Sequence, residues 1–469
     1  MKYVIAYCLS FFFTASSLGQ KIEISESLDA GRYINYQLIA EYEGELLVYY
    51  QTKMKHWICA LGKGLKELWK KELQFDHRYK VNFLSIITNK KSFYFLYYTH
   101  KKNKTELHLT EFDARGSTVA KWNGEIFDER LYLDSDQVVL SSNKKFLVVY
   151  KPSFEGYLHL AHVDIEAQKI SWKHHFKEQG LSYTRHYLEL LVNPSGGTYL
   201  FYERNNHKSR LADHRYEIYY FDTKGTAQMY KLQHPNRKAY DINFEYDRMN
   251  DKIVVAGLYS AHSKQANGLF YTNFALENSE KTQIKNTAFD EKFMRNLTGK
   301  RRKNIEGVSN FEIQEMILRR DGGVILMAEQ NLSYEYEPSF FGVASRQKQS
   351  DFLFENILVA SIHPTGQLHW KKVLYKKQSS ENDEARYSSF FLFKNSSALR
   401  VLYNSEITWS PSIYEYVLKS SGEVDRNMVT YETKKPLLLE FRNGLQLSAN
   451  TFAVLSTYKS KLSVVKVIY

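Results

Sequence analysis

Residues 136 to 174 read DQVVLSSNKKFLVVYKPSFEGYLHLAHVDIEAQKISWKH. Four short runs rich in β-branched and aromatic residues stand there: Asp136 to Val139, Phe146 to Tyr150, Leu158 to Val163 and Ile170 to His174. Each has strand length, and turn-forming Ser, Asn, Pro and Gly gather between them. The unit is therefore four antiparallel strands, A to D. Runs resembling its B strand begin near Leu46, Phe93, Phe146, Thr198, Ile253, Val324, Leu399 and Phe452, most of them about fifty residues apart. Strand-rich repetition at that period predicts an all-β protein, a β-propeller in which each unit is one four-stranded blade. Eight blades are expected; seven is the alternative.

The B runs are the most apolar, as in Phe93, Tyr94, Phe95, Leu96, Tyr97 and Tyr98. That suits strands covered on both faces by neighbouring blades. Alternation of period two is clearer in C and D. The C to D hairpin repeats an apolar residue, a short polar turn, Gly and then an aromatic, as in Phe112, Gly116 and Trp122, or Ile362, Gly366 and Trp370. Phe221 with Gly225 and Tyr230, and Leu418 with Gly422, follow the same plan. Glycine fits because such turns place one residue at positive φ. With Trp69 and Trp172, four of the 6 tryptophans are expected at one repeat position, packing on the next blade.

The segment Ile362, His363, Pro364, Thr365, Gly366, Gln367, Leu368, His369, Trp370 resembles the tryptophan-docking repeat of quinoprotein-type propellers. That resemblance implies an eight-bladed ring. Catalytic members of the family use a quinone with calcium and often a vicinal cysteine pair. This chain has only Cys8 and Cys59, so no activity and no cofactor are carried over. Cofactor-free relatives act as assembly scaffolds, which is the compatible implication. The stretch from Ser309, Asn310 and Phe311 through Asp321, Gly322 and Gly323 to Ala328, Glu329 and Gln330 is similar to uncharacterised exported proteins.

Lys2 precedes an apolar run from Tyr3 to Phe13, and Ser17 and Gly19 precede Gln20. Residues 1–19 read as a cleaved signal peptide, too short in its apolar part to span a bilayer, which predicts a secreted or periplasmic protein. Residues 20–469 are then a single propeller domain. Only Cys59 remains after cleavage, so no intrachain disulfide is expected, and a chain of this size buries its core without one. The 15% aromatic content, with 36 Tyr and 29 Phe against 7 Pro and 22 Gly, favours strands over disorder. The net charge of +12 suits anionic partners.

Ring closure has a visible candidate. The last unit ends after a third strand, Leu462 to Ile468, and Lys21 to Leu28 alternates Ile22 and Ile24 with Glu23 and Ser25. This segment is expected to supply the missing outer strand, which removes exposed sheet edges.

Two intervals between B runs exceed seventy residues and locate insertions near 286–308 and 331–352. In the first, Phe289, Phe293, Met294 and Leu297 recur at helical spacing before Gly299, a C-terminal stop. Lys300, Arg301, Arg302 and Lys303 follow. The second contains Tyr334, Tyr336, Phe340, Phe341, Arg346 and Lys348. Strand parity puts B to C loops and D to A connections on the same face, together with the loop carrying Trp409. Tyr334, Tyr336, Phe340, Phe341, Arg346, Trp409, Lys300, Arg301 and Arg302 are accordingly the candidate binding residues.

No linear catalytic motif or phosphate loop occurs. His159 with His162, and His174 with His175, are spaced to lie on opposite strand faces, so no metal site is expected. Glu189, Glu245, Glu312 and Glu315 lie on predicted A strands and are candidates to line a channel. The expectation is a non-enzymatic binding or scaffold protein for a protein or an anionic polymer or glycan. A carbohydrate-active hydrolase working through those carboxylates is the alternative. Export and the scattered Lys and Arg disfavour nucleic acid.

Overall fold

The computed structural model describes residues 20–28, 35–52, 55–75, 78–153, 156–177, 187–206, 209, 214–234, 237–261, 264–299, 305–336, 339–340, 343–344, 349–407, 411–429, 437–458 and 461–469. Eight antiparallel sheets of the propeller type follow one another along the chain. The B strands are Glu45–Thr52, Ser92–Lys101, Phe146–Pro152, Thr198–Arg204, Lys252–Ser260, Val324–Tyr336, Leu399–Glu406 and Thr451–Tyr458. All eight expected starts fall within one residue of these. Blade 8 is composite: Lys21–Ile24 pairs antiparallel with Lys461–Ile468, from Lys21 opposite Ile468 to Ile24 opposite Val465. The N-terminal strand thus closes the ring as the outer strand of the last blade.

Eight hydrophobic clusters hold the ring, one at each seam between consecutive blades. Phe93, Phe95 and Phe112 of blade 2 meet Tyr49 and Ile58 of blade 1 at one seam. A fully buried side chain of this size contributes about 1.5–3 kcal/mol, so each seam is held by several such terms. The C strands depart from the expected alternation. Leu158 through Val163 are all buried, because neighbouring blades cover strand C on both faces as they cover B. Alternation survives in the rim strands, such as Lys169–Lys177.

The tryptophan register also differs in one blade. Trp69, Trp172 and Trp370 each sit one step past a bulge, opposite Ala60, His162 and Ser361. Trp122 stands two pairs further in, opposite Leu109, while Ala120 occupies the position opposite Glu111. The turn itself matches that of blade 6, with Phe112 opposite Thr118 as Ile362 is opposite Leu368; the ring is simply carried two residues later on the strand, which keeps it on the same face, against Ile170 of blade 3.

The helix expected from residue spacing is Glu291–Thr298. The Asp290 side chain caps its first turn by accepting from the Phe293 N–H, and Gly299 ends it in the left-handed region. Phe289, Phe293, Met294 and Leu297 are buried in the seam between blades 5 and 6. No described helix is long and apolar enough to cross a membrane.

Candidate functional site on the helix and ribbon face

Strands B and C of blade 6 continue well past the blade. Their register runs from Asn331 opposite Phe354 out to Tyr336 opposite Gln349, beyond a bulge at Glu329/Asn331. Strand D, Leu368–Leu374, leaves strand C at Ile357. The connector to blade 7 takes its place, with Gln378–Glu381 pairing Phe354 through Asp351. What the sequence suggested as a loop is therefore the outer part of a three-stranded ribbon, with a further short pairing of Ser339–Phe340 and Val343–Ala344. The helix emerges on the same face, since the Asn356 side chain at the ribbon root donates to the Leu297 carbonyl at 2.8 Å.

Tyr334 lies on the ribbon opposite Asp351 and is 51% exposed, the largest exposed apolar surface of the described ribbon. Tyr336 pairs with Gln349 and Phe340 with Val343. Lys300, Arg301, Arg302, Phe341, Arg346 and Trp409 lie outside the described residues, as do Lys303 and Lys348.

Below the ribbon lies a polar network that linear reading missed. Lys376 Nζ stands 2.6 Å from Glu329 Oε1, and both side chains are fully buried. The Ser389 hydroxyl donates to Glu329 Oε2 at 2.5 Å, and Lys376 donates to Gln378 Oε1 at 2.6 Å. Gln378 Nε2 donates onward to the Asn404 carbonyl at 2.7 Å. Burial pulls the Lys376 ammonium below its ordinary range, and Glu329 opposes that shift. The Lys376 ammonium and the Arg442 guanidinium of the segment leading into blade 8 both stand over the Phe354 ring of the ribbon. The one warning in the sequence is an acid, Glu329, ending the apolar run Val324 to Ala328.

The network continues toward the closing seam. Tyr387 donates to the Thr457 carbonyl at 2.8 Å, and buried Glu440 accepts from Thr457 Oγ1 at 2.8 Å and from Tyr36 Oη of blade 1 at 2.7 Å. Burial, then Glu440, raises the Tyr36 phenol above its ordinary range. One connector thus ties blade 6 to blades 7 and 8, and Glu440 carries the link to blade 1. Four non-glycine residues within it, Asn382, Glu384, Ala385 and Ser389, have positive φ, a conformation held only where surrounding contacts over-determine it.

Of the four predicted channel carboxylates, two come together and two stand apart. Glu245 and Glu315 share a neighbourhood with Lys394, which pairs with Glu315 at 3.4 Å. Burial raises the Glu245 carboxyl, and Lys394 opposes it. Glu312 instead accepts from Asn331 at 2.6 Å at the ribbon root, and Glu189 lies near Tyr150. The histidines pair across strands: His159 stacks on His175 at 4.4 Å, a contact set by register and invisible to spacing along one strand. Among the described residues no His, Cys, Asp and Glu group is arranged to hold a metal ion. Cys59 is buried and its thiol is pushed up to about 12 by burial and then Glu67.

No family model matches the chain, and no curated protein matches it. Solved structures do resemble its fold. The Dos1 propeller is 9% identical, with 95% of this chain and 94% of that one covered and a TM-score of 0.45. A protein from Lactobacillus plantarum is 8% identical over 86% and 97% of the two chains, with a TM-score of 0.42. The β-propeller domain of the Trilobed protease from Pyrococcus furiosus is 9% identical over 87% and 97%, with a TM-score of 0.39. At this distance the likeness concerns the propeller fold alone.

Proposed function

We propose that this chain is an exported, non-enzymatic binding or scaffold protein that takes a protein or anionic polymer on the face bearing the helix and ribbon. The observation that carries this reading is the ribbon itself: a three-stranded projection presenting Tyr334, braced at its root by the buried Lys376 and Glu329 pair. A projection held this firmly loses little conformational entropy when it docks, which favours recognition. The hydrolase alternative draws less support, because Lys394 occupies Glu315 and the other two carboxylates stand elsewhere.

The test places a photo-crosslinking residue at 334, and at 119 as control, since Val119 is 59% exposed on the rim of blade 2. A discrete crosslinked partner is expected from position 334 only. Replacing residues 336–349 with Asn-Gly should abolish it while the melting temperature holds. Equal labelling from both positions would sink the proposal.

A further inference from the structure

Half of the outer rim is basic. The D strands of blades 3 to 6 are Lys169–Lys177, Ala227–Gln233, Lys285–Ala288 and Leu368–Leu374, and together they carry 7 lysines with no aspartate or glutamate. The D strands of blades 7, 8, 1 and 2 are Val424–Met428, Lys21–Ile24, Glu67–Leu73 and Thr118–Phe127, and each balances its basic residues with acids. Both sets are contiguous around the ring. Lysines scattered along the chain are thus gathered by the fold into one arc.

Neutralisation of the arc from outside is partial. Lys173 has Glu125 and Asp128 of blade 2 within 4.0 Å, and Lys371 pairs with Asp290 at 2.7 Å. Glu166, in the turn before the blade 3 strand, is taken by Lys145 at 2.8 Å. Lys169, Lys177, Lys285 and Lys372 are exposed. Lys177 donates to the Tyr157 hydroxyl and Lys285 to Gln283 Oε1, both uncharged acceptors.

We propose that the rim of blades 3 to 6 binds an acidic polysaccharide laid along the circumference, at a surface separate from the helix and ribbon face. Cations spread over four successive blades require a ligand with repeated charge; a compact anion would touch one blade. On the four strands Trp172 is buried and Phe176, Tyr230 and Trp370 are half-buried, so none offers a fully open ring face to a base, and the cations are all lysine, with no arginine fork to read base edges. That favours a polyanion without bases, held by charge and released by salt.

Heparin serves as the probe, with whole protein bound to a heparin column and eluted by NaCl. K169Q/K177Q/K285Q/K372Q should elute at clearly lower salt, with affinity reduced at least about tenfold and a shallower salt dependence. K21Q/K70Q/K71Q/K121Q removes the same charge from the balanced half and should elute near wild type. Arginine at the four arc positions should retain binding, which separates lost charge from lost folding. Equal shifts in the two glutamine variants, or no retention of wild type, would overturn the proposal. Stronger competition by duplex DNA than by free heparin at equal charge would overturn the choice of polysaccharide.

Discussion

Trp370 of blade 6 lies against Gly422 of blade 7 so closely that a Cβ on the glycine would stand 2.8 Å from Trp370 Cγ, and the indole N–H donates to the Ser420 carbonyl at 3.1 Å. The contact turns a hairpin glycine into part of a seam between blades. Gly422 also has φ +85, so Gly422→Ala meets both strain and a clash. A loss of about 2 kcal/mol or more is expected in urea unfolding. Gly44→Ala is the comparison: its φ is +84 but nothing lies within 4 Å, and only the backbone cost of about 1 kcal/mol should appear.

Breaking the buried pair should cost more than removing it. Glu329→Gln leaves the Lys376 ammonium buried without its counter-charge, and a loss of about 3–5 kcal/mol is expected. Glu329→Leu combined with Lys376→Met should recover much of that loss. A double variant as unstable as the single would show that the pair's hydrogen bonds, not its charges, hold the ribbon root.

Stability should decline on acidification through two buried histidines. Burial lowers His56 and His234 to about 4 from the ordinary 6.5. The unfolded chain therefore takes up protons first as pH falls. Their contribution is intact above about 6.5, declines by about 1.4 kcal/mol per pH unit for each group, and is gone below about 4. The slope between pH 6.5 and 4 should flatten when His56 and His234 are replaced by Gln.

The closing strand offers a fourth measurement. Ile22 and Ile24 pack on the seam between blades 7 and 8. Replacing both with Ser should speed amide exchange in Lys461–Ile468 before it speeds exchange in blade 3. Uniform acceleration across all blades would mean that the closing strand does not open first.

Sequence was most informative where one residue pattern meets one physical demand. The B strands were legible because burial on both faces imposes continuous apolar runs, and the closing strand because Ile22 and Ile24 alternate with polar residues. The helix was legible because Phe289, Phe293 and Leu297 mark one face and Gly299 ends it. The rest depends on register and distance. Trp122 sits two pairs further along its strand than its counterparts, and cross-strand pairing stacks His159 on His175. Glu329 and Lys376 meet only because a connector doubles back on strand C. Of the candidate site, the face was legible from parity; its ribbon form was not, since aromatic and polar residues in a long interval do not distinguish a loop from an extended hairpin.

The pairing of Lys21–Ile24 with Val465–Ile468 also sets an order of events. Of the described strands, the first to be made has as its sheet partner the last to be made. Seven blades can form from local segments as they emerge, while blade 8 waits for Lys461–Ile468 and carries the largest loop-closure entropy. Until then the ring is an open arc with its two end blades uncovered. Joining these late partners is therefore the expected slow step of folding, and the interval in which the chain is most prone to associate with copies of itself.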